Sequence, residues 1–227
     1  MKKRNIFALL MMLTAFSMAF AQGTEQPVVT DTVTAMSQEQ AFAASELETQ
    51  PSKAAVPQKQ QSEPQRSIPA AAEEDLYRDG LAAYITSVND SVTEKEARSM
   101  VDCILKQAEA YQMDEKLIMA VAQTESTYDC NAVSCANYKG LMQTGDVLAE
   151  EAGYSPEELF DPEVSIAVGA GYMDDQLETF GDLTLALAAY NQGPGAVYAG
   201  SYTTGYADLT LERMENIETF LLEEGYL

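Results

Sequence analysis

From residue 73 onward the apolar residues recur at helical intervals. Tyr77, Leu81, Tyr84 and Val88 share one face of a first helix. Residues 89–93 interrupt it, and a second helix runs to about Tyr111. Asp114 is positioned to cap a third helix over residues 115–125, because its carboxylate can accept the free N–H groups of the first turn. A polar stretch over 126–140 precedes a short helix near Val147 and a longer one over 163–180, whose stripe is Ile166, Ala170, Met173, Leu177 and Phe180. Gly169 and Gly171 in that helix permit close approach by a neighbour. Asp182 can cap residues 183–190, which are apolar nearly all round and so predict the buried central helix. Residues 191–195 stop it, Pro194 suits the first turn of the next helix, and a last amphipathic helix spans about 209–222. No convincing pair of alternating strands appears, so the predicted fold class is mainly α.

The first 72 residues read differently. Lys2, Lys3 and Arg4 precede an apolar run over residues 6–20 that ends in Ala19-Phe20-Ala21, the pattern of a cleaved signal peptide over 1–21. The run is short for a bilayer span, which needs about 20 apolar residues, so a retained anchor is the rival reading. Residues 22–72 carry five of the eight prolines and a single aromatic, Phe42. Such a segment cannot bury enough apolar surface to offset its chain entropy, and it reads as a disordered linker or propeptide. The organisation expected is therefore signal peptide 1–21, linker 22–72 and a helical domain over 73–227.

Composition narrows the chemistry. The chain has no histidine, which removes Ser-His-Asp and Cys-His nucleophile pairs and imidazole zinc sites. Acid–base work must fall to carboxylates, Tyr, Cys or Lys. A balance of 36 acidic against 13 basic residues argues against nucleic acid as a partner and against docking on anionic lipid. No pattern calls for a cofactor or metal: Gly169-Ala170-Gly171 lacks the third glycine of a dinucleotide loop, and Asp174-Asp175 reads as a solvated helix face.

Glu125 is the most informative single residue. Leu117 or Ile118 and Val121 precede it on the same side of the third helix, which places its carboxylate at the end of an inward face, and the last turn is the negative end of the helix dipole. Both effects disfavour the ionised form and predict a raised pKa suited to general-acid work. The bland alternative is a carboxylate that turns out to solvent.

Other motifs stand around it in order. Glu125-Ser126 is followed by Asn131-Ala132-Val133-Ser134, Gly140-Leu141-Met142-Gln143, Asp161-Pro162, and the run Ala188-Ala189-Tyr190-Asn191-Gln192-Gly193-Pro194-Gly195-Ala196-Val197. Over residues 97–199 this succession resembles the catalytic domain of soluble lytic transglycosylases, the lysozyme-like enzymes of glycoside hydrolase family 23. The resemblance implies a mainly α, lysozyme-like transglycosylase domain acting on peptidoglycan glycan strands, and with the signal-peptide pattern it predicts a secreted protein, extracellular, in the cell wall or periplasmic. It implies no cofactor, no stable membrane association after signal cleavage, and a cell-envelope assembly as a further candidate partner. By the same resemblance Glu125 is the sole catalytic carboxylate. Met142 and Gln143 line the sugar cleft, and Tyr190 with Asn191 holds substrate. Periodicity alone favours a different reading of Tyr190, a core aromatic ending a buried helix.

Two stretches depart from the family pattern. Ser134-Cys135-Ala136-Asn137 ends in asparagine where glycine is usual, and Thr144-Gly145-Asp146 follows Gln143 where an apolar residue and a proline are common. Cys130 and Cys135 bracket a four-residue loop beside Glu125, and a secreted setting permits a disulfide between them, with Cys103 as the rival partner for either. Two further functions stay open: a hydrolysing muramidase, which would need a second carboxylate such as Asp146, and a silent glycan-binding domain.

Overall fold

A computed structural model describes residues 70–227; the expected signal peptide and nearly all of the expected linker lie outside the described residues. The described chain is mainly α, as the sequence predicts. Its elements are α1 (Ala70–Val88), α2 (Glu94–Tyr111), α3 (Glu115–Ser126), α4 (Asp146–Glu151), a 3-10 turn (Pro156–Phe160), α5 (Pro162–Phe180), α6 (Leu183–Gln192), α7 (Pro194–Tyr198) and α8 (Gly205–Glu223). Helix α1 begins three residues before Glu73. No described helix is long and apolar enough to cross a membrane.

Local chemistry sets most of these ends. Thr93 and Glu96 form a reciprocal capping box at the start of α2, with Thr93 N–H donating to Glu96 Oε2 at 2.9 Å. The Asp114 carboxylate accepts from the Lys116 N–H at 2.8 Å, and that of Asp182 from the Leu185 N–H at 2.9 Å. Replacing such a cap by alanine typically costs about 1 kcal/mol. Helix α3 ends where Thr127 and Tyr128 turn to positive φ, 54° and 61°.

The core runs through the middle of the bundle. Helix α1 packs on α2 and α8, α3 on α8 and α2, and α6 on α5, α7 and α8. The residues Leu117, Ile118, Met119, Ala120, Val121 and Ala122 are all buried, so α3 shares the central position expected of α6, whose Ala186, Leu187, Ala188, Ala189 and Tyr190 are buried too. Full burial of a side chain such as Ile118 or Leu187 contributes roughly 1.5–3 kcal/mol.

Two differences from the expected elements have physical causes. The 3-10 turn was not expected, because five residues carry no readable period. Helix α8 begins at Gly205, four residues ahead of expectation. Thr203, Thr204 and Gly205 are poor helix formers and read as loop, yet the packing of Tyr206 and Ala207 holds the first turn.

Candidate active site

Glu125 sits in the last turn of α3, and its side chain is turned partly inward. Helix α8 meets it there: the Tyr206 hydroxyl donates to Glu125 Oε1 at 2.6 Å. Burial pushes the Glu125 carboxyl up to about 7, and the Tyr206 hydroxyl and the Arg213 charge oppose that rise. The desolvated, helix-terminal carboxyl expected from sequence is present, and the outward-turned alternative is not. Near neutral pH such a group populates both protonation states, which suits it to giving and then retaking a proton.

The segment after α3 is folded back onto that helix. The Ser126 hydroxyl lies within hydrogen-bond distance of the Ala122 carbonyl (3.1 Å) and the Leu141 carbonyl (2.9 Å), which ties Gly140-Leu141 to the end of α3. Gly140 has φ +73° and a Cβ there would fall 1.9 Å from the Leu159 carbonyl oxygen, so no other residue fits. Met142 N–H donates to the buried Ser165 hydroxyl at 3.1 Å. Asn137 stands at φ 65°, a left-handed position where the resemblance expects glycine and where asparagine is among the few tolerated replacements. Its side-chain amide donates to Asp146 Oδ2 at 3.3 Å, and Lys139 forms an ion pair with the same carboxylate. The two departing stretches are thus joined, Asn137 directly to Asp146 and both beside Lys139, with which Asp146 is ion-paired.

The other expected site residues divide into two groups. Gln143, at φ 46°, directs its side-chain nitrogen to the carbonyls of Ala132 and Gly140, both at 3.0 Å, and its side-chain carbonyl accepts no donor among the described residues. Asn191 is exposed at the end of α6. Both can meet a ligand. Met142 cannot do so through its side chain, contrary to expectation: it is 0 % exposed and packs into the space above Gly169, where a Cβ would lie 2.4 Å from Met142 Cβ. The gap foreseen at Gly169 is therefore filled by a residue expected in the cleft. Tyr190 is 9 % exposed and its hydroxyl donates to the Met142 carbonyl at 2.9 Å. It acts as a core aromatic that braces the loop, the reading periodicity favoured.

Around Tyr190 the rings form a row. Tyr206 stacks near-parallel to it at 6.4 Å, and Tyr172 of α5 tilts against it at 5.2 Å. Burial holds the Tyr190 and Tyr206 hydroxyls well above their ordinary pKa, so both remain neutral donors. Tyr206, Tyr172 and Ser165 were not foreseen. Extending the last helix back by one turn would have shown a face carrying Tyr206, Thr210, Arg213 and Ile217, polar tips on an inward stripe.

The expected Cys130–Cys135 bridge is corrected: Cys103, Cys130 and Cys135 are all free thiols. Cys130 packs against the core while Cys135 is exposed, so the two side chains face different surroundings. A surface depression of about 380 Å³ lies between α1 and α2, but its lining of Arg78, Arg98, Asp79 and Asp102 is ion-paired and does not include Glu125.

Comparison with known proteins bears on the same residues. Over 121 residues the chain is 33% identical to membrane-bound lytic murein transglycosylase C of Edwardsiella ictaluri, a match covering 46% of this chain and 34% of that protein. Over 90 residues it is 41% identical to membrane-bound lytic murein transglycosylase F of Maricaulis maris, covering 37% of this chain and 19% of that one. Among solved structures it is similar to the 70 kDa soluble lytic transglycosylase of Escherichia coli, with TM-score 0.45, 22% identity, and coverage of 71% of this chain and 31% of that one. The matched part thus spans about a third or less of each relative's length. The family model for the transglycosylase SLT domain matches residues 102–206, a segment that contains Glu125, Gln143 and Tyr190.

Proposed function

We propose that this chain is a secreted lytic transglycosylase that cleaves the β-1,4 bond between N-acetylmuramic acid and N-acetylglucosamine in peptidoglycan. The observation that carries the reading is Glu125 itself: a partly buried carboxyl near pKa 7, held by the Tyr206 hydroxyl at 2.6 Å, within a transglycosylase SLT domain. The names of the relatives, lytic murein transglycosylases, support the substrate class.

Protonated Glu125 gives its proton to the glycosidic oxygen as the bond to the muramic C1 breaks. The positive charge that develops at C1 is met by the substrate's own acetamido oxygen. The C6 hydroxyl of the same sugar then bonds to C1, and the Glu125 carboxylate takes the hydroxyl proton. The product is a 1,6-anhydro end, no water is consumed, and Glu125 returns to its starting form. One carboxylate suffices, unlike the paired carboxylates of most glycosidases. Gln143 offers an acceptor and Asn191 both a donor and an acceptor to substrate amide and hydroxyl groups.

The test is digestion of purified peptidoglycan with the protein and with Glu125→Gln, followed by muropeptide masses and borohydride reduction. Non-reducible fragments one water lighter than hydrolysis products, lost in the variant, are the expected result. Reducible ends would replace the transglycosylase with a muramidase. Absence of cleavage with binding intact would leave a glycan-binding domain.

A further inference from the structure

Residues 73–227 contain 30 acidic and 7 basic side chains. Five of the seven, Arg78, Arg98, Lys106, Lys116 and Lys139, lie within ion-pair distance of a carboxylate. Arg213 forms no such pair among the described residues, although acidic side chains far outnumber basic ones in this part of the chain. Its Nη1 is shut away from solvent and meets no hydrogen-bond acceptor among the described residues. Taking a guanidinium N–H out of water without a partner is unfavourable, so its inward course needs an electrostatic reason.

The surroundings supply one. Helix α8 presents Tyr206, Thr210 and Arg213 on the face that packs on α3. Tyr206 donates to Glu125, and Thr210 Oγ1 lies 3.3 Å from Thr124 Oγ1, so the two helices are in register along this line. From α1 comes Tyr84, whose hydroxyl donates to Gln123 Oε1 at 3.0 Å. The segment after α3 adds Tyr128, whose buried hydroxyl also has no partner among the described residues. Tyr190 approaches from α6, with Tyr172 of α5 behind it. The buried face of α2, which also packs on α3, is Ala97, Met100, Val101, Ile104 and Ala108. The seam therefore contains neutral phenols, hydroxyls and apolar groups, one carboxyl and one guanidinium.

We propose that Arg213 is an electrostatic positioning residue for Glu125: its cation, held inside the α3–α8 seam, stabilises the Glu125 carboxylate once that group has given up its proton. The proposal rests on the acid–base reading of Glu125. The charge of Arg213 lowers the Glu125 carboxyl against the effect of burial, and it acts in the same direction on Tyr84 and Tyr128. In a seam of low polarity that attraction is screened far less than at the surface. Arg213 lies outside the 102–206 segment matched to the family, so it is a feature of this chain's last helix.

The experiment is a carbon-13 NMR titration of the Glu125 carboxyl in the full chain, its signal assigned by loss in Glu125→Gln, together with the pH dependence of kcat/KM on peptidoglycan. In Arg213→Gln and Arg213→Met the midpoint is expected to rise by on the order of half a unit or more, and the rate profile to move to higher pH with it. Arg213→Lys keeps the charge and is expected to restore most of the wild-type midpoint. In the wild-type protein, which needs no variant to fold, the Arg213 guanidinium resonances should shift with the same midpoint as Glu125. An unmoved midpoint in the folded neutral variants, or guanidinium signals indifferent to that titration, overturns the proposal. If Glu125→Gln retains wild-type turnover, the acid–base reading falls instead, whatever the NMR midpoints show.

Discussion

Two regions of the molecule raise a carboxyl pKa by burial but set different charges around it. At the α3–α8 seam, burial lifts Glu125 to about 7 while a phenol donor and a guanidinium pull the other way. On α5, the half-buried Asp175 is lifted to about 6 by burial, and then by the like charges of Asp174, Glu178 and Glu151. The first carboxyl has neutral donors and a cation beside it, and its conjugate base is supported when it forms. The second has only further carboxylates as its charged neighbours, so losing a proton deepens the repulsion. A raised carboxyl is therefore not in itself a sign of catalysis; the groups that would receive its negative charge distinguish the two.

The comparison breaks most decisively at the level of turnover. Glu125→Gln is expected to lower the rate of muropeptide release by about 10²–10⁴-fold, the usual contribution of a general acid, while Asp175→Asn leaves the rate unchanged. Equal losses at both positions would erase the distinction. Gly140→Ala tests the loop that follows α3, since a Cβ at Gly140 would meet both the Leu159 carbonyl and the Ser165 hydroxyl. A positive φ and a backbone clash together should cost about 3 kcal/mol or more, read as a lower urea midpoint.

Tyr206→Phe sharpens the contrast on the catalytic side. Removing the donor to Glu125 Oε1 should raise the Glu125 pKa further, move the pH–rate profile to higher pH, and slow turnover at pH 7 roughly tenfold, as expected for a hydrogen bond to a charged group. A profile that stays in place would show that the phenol does not act on the carboxyl.

The smallest expected effects are on stability. Each carboxyl binds its proton more tightly when folded, so its contribution is fully present below its unfolded pKa and is lost as pH rises through the folded value. For Glu125 that window runs from about 4.5 to 7, and for Asp175 from about 3.8 to 6. Glu125→Gln should therefore raise Tm at pH 8 by several degrees and Asp175→Asn by about 2 °C, with both gains absent near pH 3. Thermal melts at the two pH values check the sign directly.

The helices were largely legible because their determinants are local. Asp114 and Asp182 cap where they stand, and the period of Ile166, Ala170 and Met173 specifies one buried face wherever α5 docks. Less local features were misread for definite reasons. Met142 belongs to a cleft motif, yet a methionine opposite Gly169 gains more from filling that space than from facing solvent. The Cys130 and Cys135 spacing allowed a bridge, but one thiol joins the core and the other faces out.

The amino-acid order alone determined that residues 73–227 form amphipathic helices with capped ends, that Gly169 permits close approach by a neighbour, and that Glu125 ends an inward face. Each of these follows from a few neighbouring residues and the backbone's own geometry. Only the tertiary structure decided which groups act on Glu125. Tyr206 lies 81 residues away along the chain, and no local rule links the two. The packing of α8 on α3 buries the carboxyl, which raises it to about 7, and brings it the Tyr206 hydroxyl, which with the Arg213 charge offsets part of that rise.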